Sequence, residues 1–209
     1  MEISIPTNQS DNMSWMVILK RRKWQGTLSK NKKKMLERTP KIKLNIPKLN
    51  YPQEETEIPI IIKIMKENKL DSKEMRDADL KPEKEMFDIV GENKKNYEDL
   101  IEDINYYAMS LKMKYQRPRP YEISNRIKST KTKTDDTPSF PSGHSMAAHG
   151  LERALGKKYP DKKKELKEMA DRISLSRMQM GSHYPSDIQA GKKLGHMLGD
   201  VYEWLAGNS

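Results

Sequence analysis

The chain contains no cysteine. Disulfides, thiolate nucleophiles and cysteine-based metal sites are thereby excluded. There are only two Phe, against 14 Met and nine Tyr, so methionine and aliphatic side chains must fill much of any core. Long apolar runs are also missing. The best stretches, around Met16–Leu19 and Ile60–Ile62, fall far short of the roughly 20 residues a membrane-spanning helix needs. The apolar patch near the start precedes the basic cluster Lys20–Lys23, the reverse of the order in a secretory signal. These absences point to a chain with no transmembrane segment that stays in the cytoplasm.

What is present is charge. Hydrophobic residues make up 34% and charged residues 33%, which allows a modest core under a very polar surface. The net charge of +10 is unevenly spread. Residues 1–50 hold 12 Lys/Arg against three Asp/Glu, a net of +9, and the other 159 residues hold 28 against 27. Residues 1–50 also contain Pro6, Pro40 and Pro47 and lack sustained periodicity. They read as a basic, partly ordered N-terminal arm, and residues 51–209 as a helical domain. Such an arm, with Trp15 and Trp24, can contact polyanions or an anionic membrane surface; a solvated tail with no partner fits equally well.

From Tyr51 onward the text is helical. Glu54–Asn68 is a candidate interrupted by Pro59, and Pro82–Val90 can form a short helix. In Asn96–Lys114, Leu100, Ile104, Tyr107 and Leu111 recur at helical spacing, and Pro118 and Pro120 stop the helix. Residues 121–140 read as a polar loop. Three further helices are expected over Ser142–Lys157, Asp161–Met180 and Ser186–Leu205. No segment alternates with period two, so the fold class is all-α, a compact helical bundle.

Three of these apolar stripes carry an ionisable group near one end. His144 continues Ala148, Leu151 and Leu155; Arg177 lies between Ile173 and Met180; Asp187 leads Gly191, Leu194, Leu198, Val201 and Leu205. Buried charge is costly unless paired, so three such groups from separate helices predict a shared polar site.

Three short blocks carry the chemistry. The first is Lys112, six residues, then Arg119-Pro120. The second is Pro141-Ser142-Gly143-His144. The third is Ser176-Arg177, five residues, His183, three residues, Asp187. Their residue types suit phosphoryl transfer, which needs cations around the equatorial oxygens and a nucleophile in line with the leaving group. Lys112, Arg119 and Arg177 can supply the charge. Ser142 and Gly143, at a helix start, can offer a hydroxyl and a close backbone approach; an ordinary N-capped helix start is the plainer reading of that block. His183 and Asp187, four apart, can meet across a helical turn, so that the carboxylate fixes the imidazole tautomer.

In order and internal spacing the blocks resemble the signature of the type 2 phosphatidic acid phosphatase and vanadium haloperoxidase superfamily. All 11 specified positions match, over a resemblance that covers roughly residues 51–206. It implies that His183 attacks phosphorus and becomes phosphohistidine. It further implies that His144 protonates the leaving oxygen and then activates water, and that Lys112, Arg119, Ser142, Gly143 and Arg177 bind phosphate. The implied enzyme is a metal-independent phosphatase acting on small phosphomonoesters, with lipid phosphates or diphosphates as further candidates, and with no cofactor. A vanadate-dependent haloperoxidase using vanadate as cofactor is the alternative; a non-catalytic anion- or nucleic-acid-binding protein is a third reading. His149 and His196 fall outside the blocks and read as ordinary helix residues. Lys128, Lys131 and Lys133 either steer anionic substrates or form a solvated charge run.

Overall fold

The computed structural model describes residues 26–67, 82–128 and 136–206. The cluster Lys20–Lys23, Trp15, Trp24, Lys131 and Lys133 lie outside the described residues. All regular structure among them is helical: α1 (Lys30–Glu37), α2 (Glu54–Glu67), α3 (Pro82–Val90), α4 (Glu98–Tyr115), α5 (Pro120–Ile123), α6 (Gly143–Lys158), α7 (Lys163–Gln179) and α8 (Pro185–Ala206). None of these is long and apolar enough to cross a membrane.

The core forms where the stripes meet. Leu100, Ile104 and Leu111 of α4 face Met146, Leu151 and Leu155 of α6 and Leu194 and Leu198 of α8, all buried in one cluster. The closest pairing is α6 against α8, and small residues permit it. A Cβ on Gly195 would lie 2.3 Å from the Met146 carbonyl oxygen, a separation that no other side chain tolerates. The helices that carry the second and third blocks are therefore pressed backbone to backbone.

Helix ends follow local chemistry. Glu98 and Asp99 occupy the first turn of α4, where the helix dipole favours negative charge. Its last turn closes on Gln116 at φ 49°, whose N–H reaches the Lys112 carbonyl at 2.8 Å. This left-handed cap turns the chain into Arg117-Pro118-Arg119-Pro120. Two expectations change. Helix α2 runs through Pro59 to Glu67: only one backbone bond is lost, and buried Ile58, Ile61 and Ile64 hold the helix down. Helix α7 starts at Lys163, because Pro160–Lys162 form a 3₁₀ turn.

The end of the expected polar loop is not solvated. Thr137, Ser139 and Phe140 are buried, and Ser139 N–H donates to the Arg117 carbonyl at 2.8 Å. Part of the basic segment is also packed. Ile42 and Leu49 are buried in the main core. The Asp103 carboxylate of α4, fully buried, accepts from the N–H groups of Lys41 at 3.1 Å and Ile42 at 2.6 Å. An extended segment leaves its backbone donors to be satisfied from outside, and Asp103 meets two of them.

Candidate active site

The first block ends α4 and opens α5. Lys112, nearly buried, directs Nζ to the carbonyls of Pro138 at 2.5 Å and Ser139 at 3.2 Å. Arg119 is held at both its backbone and its side chain. Its N–H donates to Glu122 at 2.6 Å; its guanidinium donates to the carbonyls of Thr137 and Ser182, both at 2.9 Å. The 137–139 segment thus orients both cations.

The second block starts α6. Ser142 caps the helix, its Oγ accepting from Ser145 N–H at 3.3 Å. Ser142 N–H donates to the Asp187 carbonyl at 3.0 Å. A Cβ on Gly191 would lie 2.6 Å from the Ser142 carbonyl oxygen, so the block is locked against the start of α8.

The third block forms the turn between α7 and α8. Ser182 and His183 donate their N–H groups to the Arg177 carbonyl at 3.0 and 3.3 Å. Pro185 opens α8, a position where its missing donor costs nothing. The His183 Nδ1 lies 3.2 Å from Asp187 Oδ2, and its Nε2 lies 3.0 Å from Arg119 Nη1. A guanidinium can only donate, so Nε2 accepts and the ring proton sits on Nδ1, facing Asp187. This tautomer presents the Nε2 lone pair on the side where Arg119 stands.

A cavity of about 270 Å³ is lined by Lys112, Arg119, Gly143, His144 and His183, together with Lys32 and Met35 of α1 and Glu83 of α3. Five of the expected site residues thus share one wall. The remaining three are placed behind it. Asp187 backs His183, Ser142 caps α6, and Arg177 is buried with its carbonyl shaping the His183 turn.

Behind Asp187 lies a residue that the blocks do not include. Arg117 is fully buried and donates from Nη1 to Asp187 Oδ1 and Ser186 Oγ, both at 2.7 Å, and from Nη2 to Glu57 at 2.8 Å. Its plane stacks between the rings of Tyr51 and Tyr184, at 4.1 and 3.8 Å. Ser139 Oγ donates a short hydrogen bond to Asp187 Oδ2, which also accepts from Tyr184 N–H at 2.9 Å. The three hydrogen bonds from Arg117, Ser139 and Tyr184 fix the carboxylate that fixes His183. The signal in the sequence was slight, an Arg two residues before Arg119.

Electrostatics follow from this burial. Burial pushes the Asp187 carboxyl up, but the Arg117 charge and the hydrogen bonds from His183 and Ser139 outweigh it, holding it below the usual carboxylate range. Burial, and then the charge of Arg119, hold the His183 imidazole well below its ordinary 6.5, against the opposing pull of Asp187. Neutral His183 is the nucleophilic form. NMR of the His183 ring is expected to show the neutral Nδ1–H tautomer persisting as pH falls through 6.5. The unfolded chain does take up that proton there, so the stability His183 contributes is present above that pH and is lost as pH falls below it. A ring that titrates at or above 6.5 would contradict this electrostatic picture.

With the geometry in place, comparison with known proteins decides the family. Residues 104–206 match the sequence model of the PAP2 superfamily. They form a PAP2 superfamily domain. Within this PAP2 domain lie all three blocks and the Arg117–Asp187–His183 chain. Two curated relatives are similar to it: a non-specific acid phosphatase of Salmonella typhi, 32% identical over 103 residues, and one of Salmonella typhimurium, 33% identical over 96 residues. The alignments cover 47% and 43% of this chain but only 41% and 38% of those proteins, so the chain spans about two fifths of each relative's length. A bacterial vanadium-dependent iodoperoxidase structure superposes with a TM-score of 0.62 at 18% identity, over 85% of this chain and 58% of that one. At that identity the likeness is one of fold.

Proposed function

We propose that this protein is a phosphatase that hydrolyses small phosphomonoesters, without a metal ion, through a phosphohistidine at His183. The observation that carries this reading is the His183 ring. Its Nδ1 proton is held by a buried carboxylate, and its Nε2 faces a cavity with two cations and a helix start on its wall. Binding alone needs no such polarised imidazole. The Salmonella relatives, named as non-specific acid phosphatases, support the reaction class.

In this mechanism a phosphoryl group enters the cavity and takes over the Arg119 donor that now faces Nε2. Lys112, Arg119 and the backbone at Gly143 spread its negative charge, and Arg177 adds a further positive charge nearby. The His183 Nε2 attacks phosphorus as the ester P–O bond breaks. His144, half exposed on the same wall, gives the leaving oxygen a proton. Then His144 takes a proton from water, the hydroxide displaces His183, and inorganic phosphate leaves. Asp187 stabilises the charge on His183 while the P–N bond exists. Three cations supply what a divalent ion supplies elsewhere, so no metal is invoked. The cavity is small, which favours compact phosphomonoesters. Lys32 of α1 lines the same cavity, with its ammonium ion-paired to Asp136, so the basic segment forms part of the wall.

The test is hydrolysis of p-nitrophenyl phosphate by the full chain in excess EDTA. Turnover is expected to survive chelation and, in a separate assay free of EDTA (which itself complexes vanadate), to fall when orthovanadate is added, because five-coordinate vanadate resembles the phosphoryl transition state. Added vanadate is not expected to confer iodide oxidation. Loss of hydrolysis on chelation, restored by magnesium or zinc, would overturn the proposal, as would iodide oxidation in place of hydrolysis.

A further inference from the structure

A second polar cluster lies away from the phosphate cavity. His149 and Glu152, three apart on α6, meet His196 of α8, and none of the three lines that cavity. Glu152 Oε2 sits 2.7 Å from His149 Nδ1 and 3.0 Å from His196 Nε2. The two imidazole rings are 5.2 Å apart and perpendicular. All three donor atoms fall within 4.8 Å of one another. Donors at tetrahedral angles on a zinc ion lie about 3.3 Å apart, so small rotations of these side chains bring them to ligand spacing.

We propose that His149 Nδ1, Glu152 and His196 Nε2 form a binding site for a late first-row divalent cation of the zinc class, clamping α6 to α8. Two imidazoles and one carboxylate suit zinc and its neighbours rather than magnesium or calcium, which prefer all-oxygen shells.

A second shell is already built for the buried ligand. His149 Nε2 lies 3.2 Å from Ser174 Oγ, which in turn lies 2.7 Å from Ser145 Oγ. When Nδ1 gives its lone pair to a metal, the ring proton moves to Nε2 and donates to Ser174, the arrangement that orients metal-bound imidazoles. The site loses no hydrogen bond at that nitrogen, and neutral imidazoles bind without net proton release. Burial holds His149 below its ordinary value, in the form that can ligate. Burial pushes Glu152 up, yet the hydrogen bonds from His149 and His196 outweigh it and keep the group ionised. The neighbouring cation, Lys192, is engaged by Asp171 at 3.0 Å. His149 is buried, whereas the His196 side chain is 23% exposed. That edge gives the ion an entry path and water a place to complete the shell.

The cluster sits where α6 and α8 touch through glycine. A clamp there ties the helix that begins at Ser142 and His144 to the helix that begins just after His183. Its effect falls on stability rather than on chemistry.

The experiment uses untagged, EDTA-treated full chain and zinc chloride as the probe. Calorimetric titration is expected to give one zinc per chain. Excess zinc, at about 100 times Kd, should raise Tm by about 5–10 °C, and magnesium should not. Room-temperature hydrolysis should be the same with and without zinc. His196→Gln and Glu152→Gln keep side-chain volume, and each should weaken zinc binding by at least about tenfold and lose the zinc-dependent rise in Tm. Melting of both variants without zinc shows that they are folded. The proposal is overturned if wild type binds no zinc, or if folded His196→Gln and Glu152→Gln bind it as wild type does. It is also overturned if zinc binding is lost in His183→Ala rather than in these variants.

Discussion

His183→Ala is expected to lower kcat on p-nitrophenyl phosphate by about 10⁴-fold or more, with cooperative melting retained. The ring lines a cavity at the mouth of a turn whose backbone bonds run through its N–H and not its side chain. Its removal takes away the nucleophile but leaves the turn, the two cations and the α6 start. His144→Ala is expected to behave differently. p-Nitrophenolate leaves without a proton, so the first step survives, while the second loses the base that activates water. Phosphorylated enzyme should therefore accumulate in His144→Ala and be absent in His183→Ala. Equal losses in both variants with no adduct in either would point to water as the direct nucleophile.

Arg117→Met is expected to cost about 3–5 kcal/mol of folding stability, because it leaves Asp187 and Glu57 buried without their cation. For a chain of this size that lowers Tm by roughly 10 °C. The Arg side chain contacts three carboxylates, those of Asp187, Glu57 and, at 3.6 Å, Glu54, together with one hydroxyl and two aromatic faces, and no other side chain supplies that fork. Arg117→Lys keeps the charge but makes a single point contact. It should recover much of the stability yet still reduce kcat, since Asp187 is no longer held from both sides against His183. Paired melting curves and kcat measurements separate the two effects. A wild-type Tm in Arg117→Met would show that the network is incidental to the fold.

The parts of the site that were legible in the sequence are those whose chemistry demands adjacent residues. His183 and Asp187 meet because four residues span a helix entry, and Ser142-Gly143-His144 place a cap, a close backbone and an imidazole in consecutive positions. Arg117 was missed for the opposite reason. Its partners Glu54 and Glu57 lie some 60 positions earlier, on a helix whose acidic first turn is equally well explained by the dipole. In sequence His149 and His196 are indistinguishable from ordinary helix residues, because only the glycine-mediated crossing of α6 and α8 brings them together. Periodicity located the long helices, since each buries one stripe. It could not show that Lys41 and Ile42 dock on α4, because the buried acceptor of their N–H groups, Asp103, is a charged residue at the edge of the α4 stripe and carries no pattern of its own. The interruption expected at Pro59 does not divide the helix over Glu54–Glu67, because one lost hydrogen bond is small beside the burial of Ile58, Ile61 and Ile64.

The proposed mechanism requires that His183 carry phosphate covalently. Rapid quench of the full chain with p-nitrophenyl phosphate at neutral pH, followed by alkaline digestion and peptide mass spectrometry, tests it directly. The expected result is an acid-labile, base-stable phosphoryl group on His183, enriched in His144→Ala and absent in His183→Ala. A phosphoryl group on Ser142 or on His144, or turnover with no protein adduct under conditions that preserve phosphohistidine, would contradict it.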